Sequence, residues 1–176
     1  MPKTFRINAV AAAALLVVAC NEPPTSGPAG GYAAAPQASV AGSPGDVAAM
    51  QGIVATLDRT WGQDAATYAA VYGNADFVAP SGLRLSSAEQ IRQLYTNIFP
   101  AFAGTTRQSE IRSLTFLTGT LAVLDIDTRV TGALPPFVTP WQPGMTRALE
   151  KNILQKRGGR WEIIQHQQTS VAPGVP

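Results

Sequence analysis

Gly158-Gly159-Arg160-Trp161-Glu162-Ile163-Ile164-Gln165-His166-Gln167-Gln168-Thr169 is the stretch on which the reading of this chain turns. The glycine pair marks a turn, and the residues after it make a strand with an apolar start and a polar end. The strand holds the only histidine in 176 residues. Successive strand side chains point to opposite faces. Strict alternation therefore puts Trp161, Ile163, Gln165 and Gln167 on one face, and Glu162, Ile164, His166 and Gln168 on the other. Trp161 and Ile163 read as core. On that phase Gln165 and Gln167 look inward, and His166 looks outward or into a subunit interface. A β-bulge in the strand would reverse the assignment.

Working back from this strand, Thr146 to Arg157 is its hairpin partner. Before that comes an irregular piece, Gly132 to Met145, with four prolines and with Phe137 and Trp141 among them. It reads either as a lip over an opening or as a rigid connection. Glu110 to Leu117 and Leu121 to Val130 form another hairpin around Thr118-Gly119-Thr120. In the second of these strands Ala122, Leu124, Ile126, Thr128 and Val130 make a largely apolar face, opposite Asp125, Asp127 and Arg129. Helices come earlier. Val47, Met50, Val54, Leu57 and Trp61 recur at spacings of three and four, with Asp46 as N-cap. Asp64 caps a short helix from Ala65 to about Tyr72, with Tyr68 and Val71 inward. Asp76 to Ala79 is a short strand and Leu83 to Leu85 its return. Ser86 and Ser87 stand at capping-box spacing from Glu89 and Gln90. They start a third helix with Ile91, Leu94, Tyr95 and Ile98 on one face. Helices followed by two long hairpins make an α+β domain with a curved antiparallel sheet, spanning residues 46–170, with a loose tail over 171–176.

The N-terminus reads as an address. Lys3 and Arg6 precede an unbroken apolar run from Ala9 to Ala19, too short to span a bilayer as a helix and the right length for a signal-peptide core. Its end, Val17-Val18-Ala19-Cys20, resembles the bacterial lipobox. That resemblance implies cleavage after residue 19, lipidation of Cys20 and a lipid-anchored location in the bacterial cell envelope. Cys20 is the only cysteine, so no intramolecular disulfide can form. Residues 20–45, rich in Pro, Gly, Ala and Ser, read as an extended tether. Of the 13 Lys and Arg residues, two lie in the leader, leaving 11 against 11 Asp and Glu. The mature chain is near neutral and carries no basic run, so nucleic-acid binding lacks an electrostatic footprint.

Five pieces in order carry a family resemblance: Trp61-x-x-Asp64; Asp76-Phe77-Val78-x-Pro80-x-Gly82; Phe102-Ala103-Gly104; Leu121-Ala122-Val123-Leu124; and Gly-x-Trp161-x-Ile163. Together they resemble the SnoaL-like, SgcJ/EcaC-type branch of the NTF2-like superfamily. The resemblance implies a cone in which a bent sheet wraps a long helix and leaves a pocket at its open end. It also implies dimers formed through the outer sheet face. Cyclases, isomerases and dehydratases occur in the family. The closing strand departs from the family's Phe-His-Asn-Thr or Phe-Gln-Asn-Thr. Here His166 stands where a ring is usual, and Gln167 where the family's histidine can be. No Gly-x-Gly-x-x-Gly or other dinucleotide signature is present, so no cofactor is expected.

Trp61, Tyr68, Phe77, Tyr95, Ile163, Gln165 and Gln167 are the candidates to line the cone and bind a small, mainly apolar molecule. Asp76, which begins a strand near the expected mouth, and His166 are the candidate bases for a cofactor-independent isomerase, cyclase or lyase. For Asp76 a turn-stabilising role is the plainer alternative. Asp125 and Asp127 share a face beside Arg129 and read as a solvated or dimer-facing charge cluster rather than a metal site. A third reading is a noncatalytic dimeric interaction module, whose cone would be filled by bulky side chains.

Overall fold

The computed structural model describes residues 40–175. The leader, Cys20 and most of the tether lie outside the described residues. Helix α1 runs Pro44–Thr60 and buries Met50, Ile53, Val54 and Leu57 along one stripe. Its N-cap is Ser43 rather than Asp46. The Ser43 hydroxyl accepts from the Asp46 amide at 3.1 Å, which leaves the Asp46 carboxylate available to tertiary partners. That carboxylate accepts from Lys156 Nζ and Trp161 Nε1, both at 2.7 Å, and so pins the start of α1 to the last hairpin. Ordered packing begins ahead of the expected boundary. The Val40 amide donates to the Phe116 carbonyl at 3.1 Å, and Gly42 lies so close to the Phe116 ring that a Cβ there would collide with it.

Helix α2, Ala65–Ala69, is capped by Asp64 as expected but ends earlier than its pattern suggested. Tyr72 already belongs to strand β1, Tyr72–Val78. Gly73-Asn74, which reads locally as a turn, lies within this strand where its pairing with the last strand is irregular. Strand β2 is Arg84–Leu85 and helix α3 is Ala88–Ile98. At the start of α3, Ser87 accepts from the Gln90 amide, while Gln90 Oε1 accepts from the Ser86 amide at 3.0 Å. A short 3-10 turn, Phe99–Phe102, comes next. The long strands are β3 (Thr106–Thr118), β4 (Leu121–Thr131), β5 (Met145–Arg157) and β6 (Arg160–Ser170).

All six strands form one sheet in the order β2-β1-β6-β5-β4-β3. The pairs are antiparallel except β1 with β6, which is parallel and gives the sheet its one mixed junction among the described residues. The fold is thus the expected α+β cone, a curved sheet with the N-terminal helices packed in it. The core joins Met50 and Leu57 from α1, Ile91 and Tyr95 from α3, and Leu124, Ile126, Leu154 and Ile163 from the sheet. Each aliphatic side chain buried this fully contributes roughly 1.5–3 kcal/mol relative to exposure.

The phase of β6 is not the one strict alternation predicts. Leu154 pairs with Ile163 and Ile153 with Gln165, so Ile164 is an extra residue on β6. This β-bulge reverses the faces beyond it. Trp161 and Ile163 stay inside. His166, 2% exposed, is also inside, while Gln165 and Gln167 are exposed on the outer face. The expectation that the two glutamines look into the cone and His166 looks out is overturned for this reason.

Candidate functional site

Three strands bring His166 its neighbours. In β5 the inward positions Ala148, Glu150, Asn152 and Leu154 alternate with outward ones, and all four are buried. Asn152 stands opposite His166 in the β5–β6 register, and Phe77 stands opposite it in the β1–β6 register. His166 Nδ1 and Asn152 Oδ1 are 2.8 Å apart. With the amide oxygen at Nδ1, that nitrogen donates and Nε2 keeps its lone pair. Phe77 stacks on the imidazole, centroids 4.6 Å apart at 18°, and Tyr72 meets it edge-on at 5.7 Å. Tyr95 lies against Tyr72, Phe77 and Tyr68, the last at 4.3 Å.

Beside the rings lies a buried ionic group. Arg107 on β3 donates from Nη1 to Asp58 of α1 at 2.6 Å. Its Nη2 donates to both carboxylate oxygens of Glu150, at 2.9 and 3.1 Å, and to Thr128 at 3.2 Å. Ser109 supports Asp58 through its amide and hydroxyl. The Arg107 side chain is 1% exposed and that of Glu150 4%. An ion pair this deep holds only because its hydrogen bonds are filled. Burial works to raise the Glu150 carboxyl, but Arg107 above all, with His166 and Thr128, overcomes it and holds it below its ordinary value. Burial pushes His166 down to about 4, with Glu150 pulling the other way, so the imidazole is neutral at neutral pH. Burial likewise lifts the phenols of Tyr68, Tyr72 and Tyr95 above their ordinary value.

Among the described residues, three buried polar side-chain atoms have no hydrogen-bond partner within 3.5 Å: His166 Nε2, Asn152 Nδ2 and Tyr72 OH, although the phenols of Tyr68 and Tyr95 lie near Tyr72 and the Gln168 amide near His166. Native interiors leave few such groups, and each costs on the order of 1–3 kcal/mol. His166 touches both of the other side chains, so the three side chains are neighbours in the interior. Together they offer one lone pair and two donors.

The other sequence candidates fall in different places. Tyr68, Tyr95, Phe77 and Ile163 are buried in the interior. Trp61 is half-buried at the end of α1, with Nε1 donating to Thr105 at 3.0 Å and its ring against Phe102, Phe99 and Tyr68. Asp76 is opposite Gln165 on the outer face, paired with Arg84 at 3.1 Å and half-exposed. The structure therefore does not bring Asp76 and His166 together. Gln167 contributes to a depression of about 560 Å³ on the outer sheet face, with Arg112, Asp125, Asp127, Arg147 and Leu149. A second depression, about 490 Å³, lies outside the cone between α1 and the last hairpin, by Gly52, Ile53 and Trp161. Neither includes His166 or Tyr72, whose surroundings are filled ring to ring. Asp125 and Asp127 lie on the outer face, Asp125 partly exposed and paired with Lys151, but Asp127 is buried beneath Arg147 rather than solvated.

Sequence reasoning missed Asp58, Arg107, Glu150 and Asn152. For Asp58 a signal existed: it lies four residues after Val54 and three before Trp61, beside the apolar stripe. For Arg107 and Glu150 the partners are 43 residues apart, and nothing local links them.

No protein-family model matches the sequence, and no curated protein sequence matches it. Solved structures do match in fold. A domain of unknown function with a cystatin-like fold from Nostoc punctiforme superposes with a TM-score of 0.64 at 20% identity, covering 75% of this chain and 81% of that one. A type 2 hexachlorocyclohexane dehydrochlorinase gives 0.59 at 16% identity, over 75% of this chain and 94% of that one. An NTF2-like protein of unknown function from Shewanella oneidensis gives 0.57 at 12% identity, over 70% and 98%. At these identities the likeness is one of fold: the domain has the NTF2-like cone.

Proposed function

We propose that this domain binds a compact, mainly apolar molecule inside the cone, with its polar end at His166, Asn152 and Tyr72. One observation carries the reading. Three clustered side chains, buried among aromatic rings, each keep a polar atom without a partner. Rings with a few convergent polar groups are the usual composition of a small-molecule site. The rings pack against one another around these atoms, the filling expected of the interaction module, so a ligand enters only as the rings part.

Native mass spectrometry of the chain purified gently from the exporting cell tests this. A reproducible small adduct, lost on denaturation and lost in His166→Gln and Tyr72→Phe, is the expected result. A clean apoprotein, with both variants unchanged, would favour the noncatalytic interaction module.

A second reading has its own support. An unprotonated Nε2 at neutral pH, set beside two donors, suits proton abstraction with the resulting negative charge held by Asn152 and Tyr72. This is a cofactor-independent isomerase or lyase with His166 as base. The dehydrochlorinase of the same fold lends it a precedent of fold alone. Its rate would rise as His166 loses its proton near pH 4, and that limb would vanish in His166→Gln. The five motifs favour the SnoaL-like, SgcJ/EcaC-type branch within this fold. The lipobox favours an envelope anchor through Cys20. The outer sheet face, with Leu149 exposed among paired charges, is the surface we assign to a second copy of the chain.

A further inference from the structure

We infer that the interior site selects uncharged ligands carrying a single hydroxyl, phenols and compact cyclic alcohols, and rejects carboxylates. The inference rests on the proposed ligand site and adds the chemical class.

The hydrogen-bond inventory points first. His166 Nε2 needs a donor, while Asn152 Nδ2 and Tyr72 OH need acceptors. A hydroxyl donates once and accepts twice, so it is the one simple group that offers both the donor Nε2 needs and the acceptor that Asn152 and Tyr72 need. A carbonyl or carboxylate can accept from Asn152 and Tyr72 but gives nothing to Nε2. A hydrocarbon answers none of them.

Charge points the same way. Among the described residues Arg107 is the one buried cation. Its Nη1 and Nη2 are committed to Asp58, Glu150 and Thr128. Two carboxylates thus face one guanidinium, and the imidazole beside them is uncharged. The region leans negative by one charge before any ligand arrives. An incoming carboxylate would be desolvated with no free cation to meet it, and an unpaired buried charge is strongly disfavoured. The charge of Arg107 is already met by Asp58 and Glu150, and drawing it towards a ligand anion would weaken its hold on the buried Glu150. The walls, Phe77, Tyr72 and Tyr95, suit a flat or compact ring.

The test uses the full, untagged chain labelled with ¹⁵N-histidine. His166 is the sole histidine, so its two imidazole nitrogens give the only ring signals. Phenol, toluene and benzoate are titrated at pH 7 at matched free concentrations. The expected result is that phenol moves the Nε2 signal in the direction of hydrogen-bond acceptance. It should bind about tenfold tighter than toluene, the return on one or two net hydrogen bonds. Benzoate should bind roughly a hundredfold more weakly than phenol. Glu150→Gln, which removes one negative charge, should narrow the gap between benzoate and phenol. Benzoate matching phenol in the natural chain would overturn the charge selection, and toluene matching phenol would overturn the hydroxyl selection. Either outcome leaves the ligand site itself standing. No movement of the His166 signals with any of the three would remove the site and this inference with it. The natural chain alone decides among these, so the test does not depend on the variant folding.

Discussion

Phe77 and His166 lie ring on ring across the parallel junction of the sheet, 4.6 Å between centroids. The contact does two things at once. It closes the core where β1 joins β6, and it keeps water from one face of the imidazole. Phe77→Ala should therefore cost about 3–5 kcal/mol of stability. In the same variant the His166 pKa should climb from about 4 towards its ordinary value, because burial is what depresses it. Imidazole NMR on the single histidine reads that shift directly.

The stability of the domain should fall as the solution is acidified from pH 7 to pH 4. His166 titrates near 4 when folded and near 6.5 when unfolded, so between these values the unfolded chain binds the extra proton. Stability is therefore full above about 6.5 and is lost progressively on the way down. The loss attributable to this group is about 3 kcal/mol. Glu150, held below its ordinary value, adds a loss of the same sign at lower pH. Urea unfolding across this range checks the slope, which His166→Gln should flatten above about pH 5.

Arg107→Ala leaves Glu150 buried without its cation and should cost about 3–5 kcal/mol. Replacing both partners, Arg107→Met with Glu150→Leu, should recover a large part of that loss. Thermal unfolding of the single and double variants separates a stabilising pair from one retained for another purpose. If the double variant matches the natural chain in stability, the ion pair is kept for the site and not for the fold.

Gly42→Leu should loosen the junction between tether and domain. No side chain fits between residue 42 and the Phe116 ring. The expected outcome is faster hydrogen exchange at the Val40 amide, whose bond to the Phe116 carbonyl depends on that close approach. The centre of the sheet should be unaffected.

Cys20→Ser should abolish the acyl mass and, because the lipobox that directs cleavage is broken, leave the apolar leader attached. Intact-mass measurement checks both, and the natural chain should show the acyl mass and no leader.

The helices and hairpins were legible because their signals are local. The stripe Met50, Val54 and Leu57, the capping by Asp64, the Ser86-Ser87 start of α3 and the glycine turn at 158–159 each show within a few residues. The orientation of the site was not. Alternation counted forward from Trp161 gives the right face for Ile163 and the wrong face for His166, because Ile164 is not paired one-for-one with β5. The local pattern makes Tyr72 the end of a helix, because Gly73-Asn74 is a turn signal unless a neighbouring strand captures it. Arg107 precedes the strand that the pattern starts at Glu110, and Glu150 is one charged residue within Thr146 to Arg157, so nothing local singles out either. Only the folded sheet, which sets Arg107 of β3 between Asp58 of α1 and Glu150 of β5, makes them interior.

The bulge at Ile164 also bears on how this chain is to be aligned with its relatives. A relative whose closing strand lacks that extra residue would alternate regularly and still place the counterpart of His166 inside the cone. The two strands can be matched only by opening a one-residue gap opposite Ile164. Without the gap, inside is compared with outside at every later position. A pocket histidine in one protein would be set beside a solvent-facing glutamine in the other, and a shared site would be scored as a substitution.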